Sequence, residues 1–193
     1  MRAHFLIVGG GIMGLAAAWR CARRGRGPVL LLERRTFGAG SSGRSGAILR
    51  THYKDRELVR IARDSLVEYA GFEGRNGTSI GFHRCGVVTL AGAGQAQWQE
   101  RVRENVATMR ELGVEVELVD AARLRALFPG AVVREGSLAS FEPQAGFVDP
   151  ALALAGFAKS RDRRRLEDTS PNGTQVEDRQ CVVGHGRSHT LAS

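Results

Sequence analysis

Lysine is nearly missing from this chain, cysteine is sparse and apolar runs are short, and each shortage excludes a class of protein. Only Lys54 and Lys159 accompany 26 arginines, so the formal net charge of +8 rests on arginine. The arginines are scattered rather than striped, and no recognition motif goes with them, which reads as solvated surface and not as a nucleic-acid contact. The three cysteines, Cys21, Cys85 and Cys181, have no framework spacing. That excludes a disulfide scaffold and fits reduced thiols in a cytoplasm. Hydrophobic stretches are short and interrupted by glycine, so none reads as a membrane span. What remains is ordinary globular composition, 42% apolar and 25% charged, and 193 residues can bury a core in one domain or two small ones.

Residues 4–35, HFLIVGGGIMGLAAAWRCARRGRGPVLLLERR, organise the rest. An apolar run, a glycine triplet, a helix-length stretch, a second apolar run and an acid follow in the order of one βαβ nucleotide-binding unit. His4 to Val8 predicts a buried strand, Gly9-x-Gly11-x-x-Gly14 the turn into a helix, and Val29 to Leu32 the next strand, ending at Glu33. Gly9 makes the tight turn, Gly11 admits a pyrophosphate to the backbone, and Gly14 lets the helix lie close on the strand. A pyrophosphate then meets free N–H groups and the positive end of the helix dipole. Glu33, nineteen residues after Gly14, can accept hydrogen bonds from a ribose diol. A competing reading of Arg2 and FLIVGGGIMGLAAAW as a signal peptide fails, because cleavage near Ala18 would cut away half of this unit.

Thr36 to Gly46 carries too many glycines and serines for a helix or central strand, so it is a loop offering N–H groups and hydroxyls to a cofactor. Asp55 caps a helix with core positions expected at Leu58, Ala62, Leu66, Tyr69 and Phe72. Phe82 to Ala91 reads as one strand. A helix carrying Trp98, Val102, Val106, Met109 and Leu112 follows and closes at Gly113. Val114, Val116 and Leu118 alternate with Glu115 and Glu117 as a half-buried strand. Asp120 caps a short helix ended by Pro129, and Asp149-Pro150 opens another. His52, His83 and Tyr53 read as structural residues, and no catalytic acid or base is assigned.

Five segments together resemble the amino-acid oxidase family of FAD-dependent oxidoreductases, over about residues 4–158. They are IVGGGIMG with Glu33-Arg34-Arg35, GSSGRSGAILR at 40–50, Gly86-Val87-Val88-Thr89-Leu90, LFPG at 127–130, and FEPQAGFVDPALA at 141–153. The loop is most similar to the sarcosine oxidase and dimethylglycine dehydrogenase-like branch. The resemblance implies that Gly9, Gly11, Ile12, Met13, Gly14, Glu33, Arg34 and Arg35 hold the ADP half of FAD. It implies that Ser41, Ser42, Gly43 and Arg44 approach the pyrophosphate or flavin, and that Arg50 contacts the flavin face or the substrate. Ala47 stands where some relatives carry a second arginine. The implied chemistry is oxidation of a C–N bond in a small-molecule amine or amino acid, with the flavin performing the redox step.

The expected fold is α/β: a Rossmann-like FAD-binding domain with the start of an inserted antiparallel α+β substrate domain, incomplete at the C-terminus. The partition is 1–80 for FAD, 81–145 for a partial substrate domain, 146–158 for a helix returning toward the FAD domain, and 159–193 for a disordered or frameshifted tail. That tail has no aromatic residue and six of Ala, Val, Ile, Leu or Met in 35, and the chain is accordingly expected to be inactive as it stands. Cys181, His185 and His189 lack a fourth metal ligand, RDRRR at 161–165 is diluted by acids, and Asn76 and Asn172 head glycosylation patterns that mean nothing in a cytoplasm. The alternatives are an NAD-dependent dehydrogenase, which should continue as β-α-β repeats, and a non-catalytic nucleotide-binding fragment. The oligomeric state is left open.

Overall fold

The computed structural model describes residues 3–25 and 27–159, and the backbone of 181–185. In chain order the elements are β1 (Phe5–Val8), α1 (Ile12–Arg23), β2 (Val29–Glu33), a 3-10 turn (Ser42–Arg44), β3 (Ile48–Leu49), α2 (Arg56–Ala70) and α3 (Phe72–Asn76). There follow β4 (His83–Arg84), β5 (Val87–Ala91), α4 (Ala96–Glu111), β6 (Glu117–Asp120), α5 (Ala121–Leu127), β7 (Leu138–Glu142), β8 (Gly146–Phe147), α6 (Pro150–Lys159) and β9 (Cys181–His185). They form two compact units, one drawn from 1–47, 72–81 and 149–193, the other from 48–71 and 82–148. Residues 48–71, expected with the first part, group with the second.

In the first unit β1, β2 and β9 make a parallel sheet in that order, with Leu6 paired to Leu30 and Val8 to Leu32. The helix α1 buries Leu15, Ala18 and Trp19, and Val29 and Leu31 are buried in β2. The expectation that β1 is buried is corrected: Phe5 is 37% exposed, Leu6 61% and Val8 79%, so an apolar strip faces outward. Aromatic packing joins the unit's separate segments. Phe72 of α3 lies with its ring centroid 4.7 Å from Phe157 of α6 and 5.7 Å from Trp19 of α1. Asp149 caps α6, its Oδ1 accepting the N–H groups of Ala151 and Leu152 at 2.8 and 2.9 Å.

Within residues 159–193, expected as a disordered or frameshifted tail, Cys181–His185 pairs with β2 from Val29↔Cys181 to Glu33↔His185. Averaging over a polar tail hid a short β-branched run, and parallel pairing uses backbone groups that any composition supplies. His189, the RDRRR run and Asn172 lie outside the described residues.

The second unit is antiparallel. β7 lies between β5 and β6, and β8 between β3 and β4. This topology does not continue the β-α-β repeats of an NAD-dependent dehydrogenase. One core joins Val59, Ala91, Val102, Val106, Met109, Leu112 and Val116, with Tyr53 packed against it, and a second joins Val119, Leu124 and Ala139.

Three local expectations are corrected. The stretch 82–91 is two strands, because Gly86 turns with φ +75° and a side chain there would overlap the Phe141 ring. The strand after α4 is Glu117–Asp120, with Val119 buried and Leu118 partly exposed, so its alternation is out of phase with the expected 114–118. In α2 the buried residue is Val59, while Leu58 is exposed. Trp98 is exposed beneath the Arg101 guanidinium, 4.9 Å from the ring centroid. Asp55 and Asp120 do cap their helices, accepting the N–H groups of Leu58 and Arg123. No helix among the described residues is long and apolar enough to cross a membrane.

Candidate functional site: the glycine turn and its loop

The strand β1 delivers the chain into the glycine turn, and each glycine does a separate steric job. Gly9 has φ +109°, a conformation L side chains rarely adopt, and its N–H donates to the Leu32 carbonyl at 2.8 Å. A Cβ on Gly14 would overlap the Gly9 carbonyl oxygen, so only glycine lets α1 start this close to β1. Gly11 is the N-cap of α1, in extended backbone and without a side-chain cap, and a Cβ there would stand 3.1 Å from Ser42 Oγ.

Glu33 does more than the sequence suggested. Its Oε2 accepts the Gly10 N–H at 2.7 Å and its Oε1 the Arg35 N–H at 2.8 Å. The carboxylate thus ties the end of β2 to the glycine turn. Those two backbone bonds, helped by the charges of Arg35 and Arg34, hold its pKa below the ordinary value. Each oxygen keeps further acceptor capacity for a ribose hydroxyl.

The loop after β2 folds back on the turn. Gly38 N–H donates to the Gly10 carbonyl at 3.0 Å, and Ser42 Oγ accepts the Ile12 N–H at 3.0 Å. Ser42 thereby occupies one of the orphan donors of α1 while its own hydroxyl proton stays available. The N–H groups of Met13 and Gly14 have no acceptor among the described residues. They stand at the positive end of a twelve-residue helix, which suits an anion. Gly43 packs directly on the Gly38 carbonyl, where a Cβ would overlap. Ser41 carbonyl accepts the Arg44 N–H, Arg44 Nε reaches the Gly40 carbonyl at 3.3 Å, and Arg35 Nη2 the Ala39 carbonyl at 3.3 Å. Arg34 and Met13 are exposed at the same turn. The sequence reading missed Gly10, which bonds Glu33 and Gly38 and has no room for a side chain against Phe37. Its place inside the triplet was the available signal.

Arg50 belongs to the second unit. Its guanidinium lies over the Tyr53 ring, 5.3 Å from the centroid, and it makes no ion pair among the described residues. Behind it His52 is buried, with Nδ1 2.8 Å from Ser140 Oγ and Nε2 3.0 Å from Asn105 Nδ2. Burial, and then the Arg50 charge, lower the His52 pKa below 6.5. The unfolded chain therefore binds more protons than the folded one just below pH 6.5, so stability should fall as pH drops through that window and be unaffected above it. Urea midpoints of wild type and His52→Gln across pH 5–8 check this. The wild type should lose stability on the acid side and the variant should show a flatter profile.

The glycine cradle, the free helix donors and Glu33 fit the ADP half of a dinucleotide. Residues 4–180 match the family model described as FAD dependent oxidoreductase. The chain is 29% identical over 164 residues to human mitochondrial dimethylglycine dehydrogenase, covering 82% of this chain and 18% of that one. It is 27% identical over 191 residues to monomeric sarcosine oxidase of Bacillus sp. (strain B-0618), covering 92% and 48%. The L-proline dehydrogenase structure from P. horikoshii superposes with a TM-score of 0.74 at 26% identity, covering 83% of this chain and 41% of that one. The chain thus spans from 18% to 48% of the length of these relatives. It belongs to the DAO family of FAD-dependent oxidoreductases.

Proposed function

We propose that these residues serve an oxidoreductase that removes hydride from the C–N carbon of an amino or N-methylamino acid. Bound FAD would supply the redox chemistry, as acceptor of that hydride. The N–H groups of Met13 and Gly14, with the Ser42 hydroxyl, would meet the pyrophosphate, and Glu33 the ribose diol. Arg34, Arg35, Ser41, Gly43 and Arg44 line the same turn and its loop. Arg50 would pair with the substrate carboxylate, and the observation carrying that step is a guanidinium stacked on Tyr53 that makes no ion pair among the described residues. The relatives' names support the substrate class, since dimethylglycine, sarcosine and proline are all N-substituted amino acids bearing a carboxylate.

The outward apolar strip at Leu6 and Val8 favours a second reading, nucleotide binding without turnover by the 193-residue chain. Anaerobic flavin reduction tests both readings. A longer family member retaining residues 4–158 should be reduced by sarcosine, dimethylglycine or proline, and reduction by none would sink the substrate class. The purified 193-residue chain with added FAD should turn over no amine, and measurable turnover would overturn that expectation.

A further inference from the structure

The carboxylate of Glu142 is 2% exposed at the end of β7, and no cation pairs with it among the described residues. Its Oε2 accepts the Thr51 backbone N–H at 2.6 Å and also the Thr51 hydroxyl. Its Oε1 is buried without a hydrogen-bond partner. Burying a carboxylate so poorly satisfied is costly, and a hydrophobic residue would pack at that position at lower cost. The amide it grips is the one joining Arg50 to Thr51, so the bond fixes the peptide plane from which the Arg50 side chain departs. Two positions earlier on the same face of β7, Ser140 holds His52, and Asn105 of α4 holds that ring from the other nitrogen. Arg50 is thus flanked by a clamped backbone and by the Tyr53 ring its guanidinium covers.

We propose that Glu142 is a positioning residue for Arg50, acting through Thr51 to set where the guanidinium stands for a substrate carboxylate. The carboxylate part rests on the reading of Arg50 above, whereas the positioning of Arg50 can be read without any ligand.

The test uses the full 193-residue chain, isotope-labelled for NMR at the arginine side chains. In wild type the Arg50 protons should be shifted upfield by the Tyr53 ring, and titration with acetate should move the Arg50 Nε–H signal. Glu142→Leu should return the Arg50 protons to the unshifted range and weaken acetate binding by about tenfold, the loss expected of a misplaced charge-assisted pair. Glu142→Gln keeps an acceptor for Thr51 and should restore both. Leu124→Ala weakens the other core of the same unit, which does not include Tyr53, and should move neither, which a merely structural role for Glu142 would not predict. If Glu142→Leu does not fold, Thr51→Val, which removes the hydroxyl donor alone, should give a smaller change in the same direction. Unchanged Arg50 shifts in whichever of these variants folds would overturn the proposal. Released Arg50 protons in Glu142→Leu, with no acetate binding even in wild type, would leave the positioning intact and overturn the carboxylate reading instead.

Discussion

Gly11→Val should abolish nucleotide binding while leaving the chain folded. The backbone at Gly11 is φ −77°, ψ 178°, extended and open to any residue, so the substitution strains nothing locally. Its side chain, however, must grow into the space bounded by the first turn of α1 and Ser42 Oγ, where even a Cβ lies at 3.1 Å. A pyrophosphate would then be held off the Met13 and Gly14 donors. Affinity for ADP or FAD should fall by about a hundredfold or more, roughly 2.7 kcal/mol. Calorimetric titration alongside a thermal melt separates this from unfolding: equal affinity in wild type and variant would mean the site is misassigned. Gly14→Val is the contrasting control, since its Cβ meets a backbone carbonyl and the unit should fail to form. Glu33→Ala should be milder than either, with affinity about tenfold weaker, because the Gly10 and Arg35 N–H groups lose their acceptor along with the ribose contact.

Phe72→Ala should cost about 3–5 kcal/mol, the usual range for emptying a fully buried phenylalanine site. Phe72 is 0% exposed, and its ring packs against Trp19 and Phe157, side chains from segments far apart in the chain. Gly156 of α6 has no room for a Cβ against Ile80 and would crowd Phe72, so the site is already tightly filled and the lost ring leaves a void. Denaturant unfolding followed by ADP binding should report the loss, because Phe72 holds α1, and with it the glycine turn, to α6. Loss of the far-UV signal without loss of ADP affinity at low denaturant would show the nucleotide site to be independent of this cluster.

The βαβ unit was legible because each of its requirements is local: two apolar runs, three glycines at fixed spacing, and an acid at the end of the next strand. Caps at Asp55, Asp120 and Asp149 were legible for the same reason. What failed was set from a distance. The break at Gly86 is dictated by the Phe141 ring on β7, the buried side of α2 by where Val59 meets α4, and the phase of β6 by its pairing with Ala139 and Phe141. His52 and Thr51 are anchored by residues about ninety positions later, and no spacing within their own segment announces that. Glu33 ends β2 as read, but its bond to Gly10 depends on how the turn folds back and was invisible.

The pairing of β2 with β9 carries a consequence for the order of assembly. Val29 waits for Cys181, about 150 residues further along the chain, and closing so long a loop adds an entropic barrier before any contact repays it. The β5–β7–β6 sheet closes entirely within residues 87–142. During synthesis the antiparallel unit can therefore complete its sheet while one edge of β2 is still unpaired. A nascent chain halted near residue 160 would present that bare edge to any other strand it meets, and its hold on nucleotide would be a measure of how far the glycine turn depends on a neighbour not yet made.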